Sequence, residues 1–182
     1  GEAPGRGSSL FLQATPTEQW VLRPYRRGGM VARLSTKRYL WTGAERTRAF
    51  RELRLTAALF EQGLPVPRPV ASCVTRHGLT YEAALITVRI AGAKALAELL
   101  ANDQADEALL KRVGEMIRRF HQVGLDHVDL NARNILVDPS GTPWLIDLDR
   151  CRLRVAGKWQ ADNLERLARS FKKFTDAPLM PI

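Results

Sequence analysis

The stretch His127-Val128-Asp129-Leu130-Asn131-Ala132-Arg133-Asn134 carries the residue types and spacing with the most definite chemistry in the chain. It fits the H-x-D-L-x-x-x-N pattern of a phosphoryl-transfer catalytic loop, in which the aspartate accepts the proton of an attacking hydroxyl. The asparagine five residues on ligates a magnesium ion that bridges the nucleotide phosphates. A further aspartate must hold the metal, and Asp147 closes the apolar run Trp144-Leu145-Ile146, where such a ligand belongs. Asp129 is therefore the candidate base, and Asn134 and Asp147 are the candidate metal ligands. Taken singly, each has a plainer reading, because a lone Asp or Asn in a loop is commonly a turn or cap residue. The order helix, motif, strand, Pro-Ser-Gly turn, strand, aspartate raises the set above coincidence. His127 reads as a structural histidine that holds the loop by hydrogen bonds rather than as a proton shuttle. Asp149 stays open between a supporting role behind Asp147 and a salt bridge to Arg150.

Phosphoryl transfer also needs a cation on the phosphates and a carboxylate that positions it. Arg23, at the end of Trp20-Val21-Leu22, is the candidate cation, and Glu52 is the candidate carboxylate. Glu52 shares a helical stripe with Leu55 and Leu59 and so points inward, where an unpaired charge costs on the order of several kcal/mol. The alternative is an exposed Glu52 paired only with Arg48, four residues earlier. An arginine where a lysine is usual is a departure, since a guanidinium is a wide fork rather than a point charge. Gly5-Arg6-Gly7-Ser8-Ser9, with Gly5 and Gly7, is the candidate phosphate-covering loop, although it lacks a full G-x-G-x-x-G.

The elements that must position these residues are legible from periodicity and breakers. Leu10 to Gln13 and Trp20 to Arg23 read as short strands, and a helix is expected from about Ala44 to Gln62, buried on more than one side. Gly63, Pro65, Pro67 and Pro69 stop it and lead into a hairpin, Val70 to Thr75 with Thr80 to Ile90, around Arg76-His77-Gly78. Ala95 to Leu100 reads as a short helix. Asp103 or Asp106 caps the next, whose Leu109, Leu110, Val113, Ile117, Phe120 and Val123 repeat at helical spacing until Gly124. Asn134 to Asp138 and Trp144 to Leu148 form two short strands around Pro139-Ser140-Gly141. A last helix is expected from Asp162 to about Phe174, with Leu164, Leu167, Ala168 and Phe171 inward.

Composition limits what these elements build. The chain has 182 residues, 45% hydrophobic and 26% charged, which suits one lobed domain with a core and excludes two independent enzymes. No apolar run approaches the roughly 20 residues of a membrane span. Cys73 and Cys151 have neither C-x-x-C spacing nor a histidine cluster, so no zinc site or disulfide framework is expected, and a reducing compartment is the default. No signal peptide is read. The chain opens at Gly1, and an N-terminal piece is expected to be missing. Net charge is +9, and Arg23 to Arg54 holds ten basic residues against two acids. Such a segment attracts nucleic acid, an anionic membrane face or a phosphorylated substrate, or is simply a solvated surface.

These residues carry a resemblance that runs over nearly the whole chain: GRGSS, LRPYRRGG, YLWTGAERTRAFRE, GLPVPRPVA, GLTYEAALIT, FHQVGLDHVDLNARNILVD and WLIDLDR. The chain resembles the lipopolysaccharide kinase family, most closely the 3-deoxy-D-manno-octulosonic acid (Kdo) kinases. LRPYRRGG and YLWTG are the more diagnostic stretches, because many kinase-like families share the catalytic loop. The 18 positions from Asp129 to Asp147 also match the protein-kinase interval.

The resemblance implies an α+β, protein-kinase-like two-lobed fold. Residues 1–90 would form an antiparallel-sheet N-lobe lacking its native N-terminus, and 91–182 a mainly helical C-lobe. It implies ATP and Mg2+ as cofactors and transfer of the γ-phosphate to a hydroxyl of Kdo on a lipid A precursor. The enzyme would sit peripherally at the cytoplasmic face of the bacterial inner membrane. By this carry-over Asp129 is the base, Asn134 and Asp147 bind magnesium, Arg23 and Glu52 grip the nucleotide, and Gly5 and Gly7 belong to the glycine loop. Val128 in place of the motif arginine, Leu148-Asp149 in place of Phe-Gly and the lack of an A-P-E argue against control by loop phosphorylation. The expected partners are a Kdo-lipid A precursor and an anionic membrane surface, docked by the basic segment with Tyr25, Tyr39 and Trp41. No nucleic acid and no obligate protein partner are expected.

Two rivals remain at this point. A small-molecule kinase of the aminoglycoside or choline type shares the loop, but its cationic substrates favour an acidic acceptor face. A catalytically inactive nucleotide- or nucleic-acid-binding protein would want more aromatics among the basic residues than Tyr25, Tyr39 and Trp41.

Overall fold

A computed structural model describes residues 9–25, 39, 40, 43 and 47–175. The chain divides into two compact units, one of residues 1–60 and 67–89, the other of 61–66 and 90–182. Every strand pairing among the described residues is antiparallel, and helices complete both units, so the fold class is α+β.

The first unit is built on β1 (Leu10–Gln13), β2 (Gln19–Pro24), β3 (Tyr39–Leu40), β4 (Pro69–His77) and β5 (Thr80–Val88), with α1 (Arg48–Glu61). The sheet runs β1-β2-β5-β3, with β4 also paired to β5. Tyr81, Ala83 and Leu85 alternate along β5 and turn one face inward, as the two-residue period of a strand requires. They form a core with Tyr25, Tyr39 and Ala49 of α1. β4 and β5 meet in a two-residue turn at Gly78-Leu79, where Gly78 takes φ +61°. The inner face of α1 is Ala49, Glu52, Thr56 and Leu59. Burial on several sides was expected, but Phe60 is exposed. Thr56 fits this inner face because its hydroxyl donates to the Glu52 carbonyl at 2.8 Å, which satisfies it within the helix.

The second unit holds β6 (Lys94–Ala95), α2 (Leu96–Ala101), α3 (Glu107–Gln122), β7 (Leu125–Asp126), a 3-10 turn (Ala132–Asn134), β8 (Ile135–Val137), β9 (Pro143–Leu145), β10 (Arg152–Leu153) and α4 (Trp159–Phe171). Of the two expected caps, Asp106 starts α3, its carboxylate accepting from Leu109 N at 2.7 Å. Leu109, Val113, Met116, Ile117 and Phe120 line the buried face of α3. Gly124 ends the helix at φ +83°, and a Cβ there would lie 2.4 Å from the Arg154 carbonyl oxygen, so no larger residue fits.

α4 begins at Trp159, three residues before the expected start, and its buried residues are Trp159, Asn163, Leu167, Ser170 and Phe171. Leu164 and Ala168 are half-buried instead of inward. The stripe is rotated toward polar positions because Asn163 and Ser170 have partners below them: Asp126 and the backbone of Ala132.

Candidate active site

The hairpin of β8 and β9 decides where the candidate metal ligands lie. Its register pairs Ile135 with Leu145, which sets Asn134 opposite Ile146, and Ile146 N donates to the Asn134 carbonyl at 3.0 Å. Asp138 fixes the turn. Its carboxylate accepts from Ser140 N at 2.9 Å, Thr142 N at 3.0 Å and the Trp144 indole at 2.9 Å. Burial pushes the Asp138 carboxyl up, but hydrogen bonds from Ser140, Trp144 and the turn backbone outweigh it and hold the group below its ordinary range.

The catalytic-loop segment is bound to this hairpin by side chains. His127, 2% exposed, donates from Nε2 to the Ile146 carbonyl at 3.0 Å. Burial keeps the imidazole neutral and its pKa low, against the opposing pull of that carbonyl and of the Asp147 and Asp129 charges. A neutral ring with Nε2–H as its donor fits the structural role expected for it. The Asp129 backbone carbonyl accepts from two amides, Asn131 Nδ2 and Asn134 Nδ2, each at 2.9 Å. These bonds use the main chain of Asp129 and leave its carboxylate out of the scaffold. Asp129 itself is exposed.

Asp147 lies two residues beyond β9 and not at its end as expected, with φ +61°, a left-handed conformation that aspartate tolerates better than most residues. The strand therefore does not carry on to Asp149. That residue lies 3.7 Å from Arg150, the salt-bridge alternative of the two left open. The structure thus brings the segments of Asp129, Asn134 and Asp147 together.

The donor set suits the implied magnesium ion. Asn134 spends its amide nitrogen on Asp129, which leaves Oδ1 as a hard oxygen donor alongside the carboxylate of Asp147. Mg2+ is commonly held by one or two protein oxygens, with water and substrate phosphates completing its shell. Among the described residues no group of three or more His, Cys, Asp or Glu gathers as an all-protein cage would need.

In the first unit Arg23 and Glu52 are brought together. Glu52 is 3% exposed and accepts from Arg23 Nη2 and from the Tyr25 hydroxyl. Burial, then the Glu52 charge, pushes the Tyr25 phenol well up, so it stays a donor. Arg48 reaches Tyr39. Its Nη1 donates to the Tyr39 hydroxyl at 2.8 Å, and its guanidinium lies over the Tyr39 ring at 5.0 Å. The expected docking role of Tyr25 and Tyr39 is corrected here: both are buried in the sheet core, where no head group reaches. Gly5, Gly7 and Trp41 lie outside the described residues, as do Arg26, Arg27, Arg33, Lys37, Arg38 and Arg46 of the basic segment.

Several residues of the site's framework had no role assigned in the sequence. Asn131 is an Asx-turn residue, its Oδ1 accepting from Arg133 N at 2.9 Å, and that local signal was readable. Ser170 Oγ accepts from Ala132 N at 2.8 Å across 38 residues, which no local pattern shows. Asp126, just before His127, accepts from Asn163 at 3.0 Å and Arg154 at 2.9 Å, with Arg152 at 3.8 Å. Burial raises the Asp126 carboxyl, but these bonds and the two arginine charges prevail and hold it low.

The chain is similar to known kinases over nearly its whole length. The family model described as lipopolysaccharide kinase (Kdo/WaaP) matches residues 1–179. A 3-deoxy-D-manno-octulosonic acid kinase of Xanthomonas axonopodis pv. citri (strain 306) is 51% identical over 173 residues, covering 94% of this chain and 69% of that protein. One of Xylella fastidiosa (strain M12) is 49% identical over 170 residues, covering 93% of this chain and 68% of that protein. No helix among the described residues is long and apolar enough to cross a membrane. With a family match spanning nearly its whole length and an α+β, protein-kinase-like fold, the chain belongs to the lipopolysaccharide kinase (Kdo/WaaP) family and is a phosphotransferase.

Proposed function

We propose that this enzyme transfers the γ-phosphate of ATP to a hydroxyl of Kdo on a lipid A precursor. The names of its relatives support Kdo as the acceptor sugar. The observation that carries the reading is the joining of the Asp129 loop to the Asp147 segment through Asn134 and His127. Asp129, exposed and free of scaffold duty, takes the proton of the acceptor hydroxyl as it attacks. Asn134 and Asp147 hold Mg2+, which when bound neutralises charge on the nucleotide phosphates. Arg23, oriented by Glu52 and Tyr25, bears on those phosphates, and Gly5 and Gly7 belong to the loop over them. Residues 1–90 then serve as the N-lobe and 91–182 as the C-lobe.

The cationic segment from Arg23 to Arg54 suits a polyanionic acceptor at an anionic membrane surface, and we place the enzyme peripherally on the cytoplasmic face of the inner membrane. Mass spectrometry of a Kdo-lipid A precursor after incubation with enzyme and Mg·ATP tests the reading. A gain of one phosphate, absent with an aminoglycoside or choline as acceptor, is expected. Phosphorylation of those amines with none on the Kdo lipid would sink it.

A further inference from the structure

Downstream of Asp147 the second unit presents a surface that phosphoryl transfer does not use. Residues 152–158 are exposed without interruption, and within them Val155 is 90% and Leu153 50% exposed. Arg150, Arg152, Arg154 and Lys158 flank these two apolar residues in the sequence, and no acid occurs between Arg150 and Lys158. The backbone decides which way each faces. β10 pairs Arg152 with Asp126 and Leu153 with Leu125, and Arg154 N continues the ladder to the Gly124 carbonyl at 2.8 Å. Alternation along this extended run sends Arg152 and Arg154 to one side, where both reach Asp126. Leu153 and Val155 are left on the other side. The buried Trp159 donates its indole N–H to the Val155 carbonyl at 2.7 Å, so the apolar tip is held out on an anchored backbone.

We propose that Leu153 and Val155, on the opposite side of the strand from Arg152 and Arg154 and with Arg150 and Lys158 at either end of the segment, form a docking edge that enters the interface of an anionic lipid surface. Aliphatic side chains gain by leaving water for the acyl boundary, while the long cationic stems bend their heads toward lipid phosphates. Charge complementarity selects an anionic surface: Asp126 offsets one of the four cations and Asp149, beside Arg150, a second. Single-stranded RNA would meet the same charges, but it binds through base stacking on aromatic rings, and the exposed side chains here are aliphatic. The edge is paired to β7, which leads directly into His127 and Asp129. Docking there sets the catalytic loop beside the lipid surface.

Sedimentation of the intact protein with phosphatidylglycerol/phosphatidylethanolamine vesicles tests this without nucleotide or acceptor, so its outcome is separate from that of the proposed reaction. Wild type should bind these vesicles and not pure phosphatidylcholine, and part of the binding should survive 0.5 M salt. Leu153→Ser/Val155→Ser should lower partition by about tenfold and remove that salt-resistant part. Val155→Trp should strengthen it, with its added emission quenched by brominated acyl chains. Equal binding by the double variant, or no quenching of the tryptophan, would overturn the proposal. So would a double variant that loses affinity for single-stranded RNA and keeps its affinity for vesicles.

Discussion

His127 Nε2 donates to the carbonyl of Ile146 at 3.0 Å, so the ring two residues before Asp129 is bonded to the residue immediately before Asp147. Together with Ile146 N on the Asn134 carbonyl, this makes Ile146 a double anchor for both halves of the candidate metal site. The side chain that looks like an acid or base by its type therefore works as a spacer.

His127→Phe keeps a planar aromatic ring, somewhat larger than the imidazole, but leaves the Ile146 carbonyl without its donor. A buried acceptor stranded in this way costs about 1–3 kcal/mol, visible as a shifted denaturation midpoint at unchanged slope. The Mg2+ concentration for half-maximal activity should rise at the same time, because Asp147 follows the released carbonyl. A pure loss of kcat with normal stability and Mg2+ dependence would instead indicate direct proton transfer by the ring.

Asp129→Asn separates chemistry from scaffold. The bonds that hold this residue end on its main-chain carbonyl, and the side chain is exposed, so thermal stability and nucleotide affinity should stay near wild type. Loss of a general base lowers kcat by about 10²–10⁴-fold. Stopped turnover with intact Mg·ATP binding is the expected pair of readouts; turnover persisting near the wild-type rate removes Asp129 from the role.

The two amides on the Asp129 carbonyl should differ in kind. Asn131→Ala removes one of two donors and should lower kcat modestly without altering Mg2+ dependence. Asn134→Ala removes a donor and the proposed oxygen ligand together, and should raise the Mg2+ requirement by about tenfold or more, on the scale of 1.4 kcal/mol per decade. Titrating activity against Mg2+ in both variants checks the distinction.

Acid stability isolates the cluster below the loop. The Asp126 carboxyl is held below its ordinary range in the folded protein, so its contribution is present above the unfolded value of about 3.9 and is lost as pH falls through the lower folded value. Asp126→Asn should be less stable than wild type at pH 7, since Arg154 loses its counter-charge. The gap between them should narrow below about pH 4. A constant gap across that window would mean that the carboxylate charge is not what the cluster uses.

How far the sequence disclosed this follows from the range of each interaction. The loop before Asn134 and the β8–β9 hairpin were legible because spacing and a Pro-Ser-Gly turn are local, and the hairpin register then brings Asn134 to Ile146. The inward turn of Glu52 was legible from its stripe. Tyr25 and Tyr39 were misread as surface aromatics because their partners, Glu52 and Arg48, lie 27 and 9 residues away in the chain, and composition does not show that pairing. The start of α4 was missed because Trp159 is held by the Val155 carbonyl four residues back, and its inner face because Asn163 and Ser170 bond to Asp126 and Ala132.

Arg23 and Tyr25 should show which part of the Glu52 network is structural. Tyr25→Phe removes a hydrogen bond to a buried charge, a loss of about 1.5–3 kcal/mol, with the Arg23 pair still in place. Arg23→Ala should be worse for stability, because breaking a buried pair costs about 3–5 kcal/mol, reduced here by the partial exposure of the arginine. Adding Glu52→Gln to Arg23→Ala removes the stranded charge and should recover much of that stability. If Arg23 bears on the nucleotide phosphates, the double variant should melt nearly as wild type yet keep a raised KM for ATP. Recovery of KM along with stability would reduce the pair to a scaffold and move phosphate recognition elsewhere.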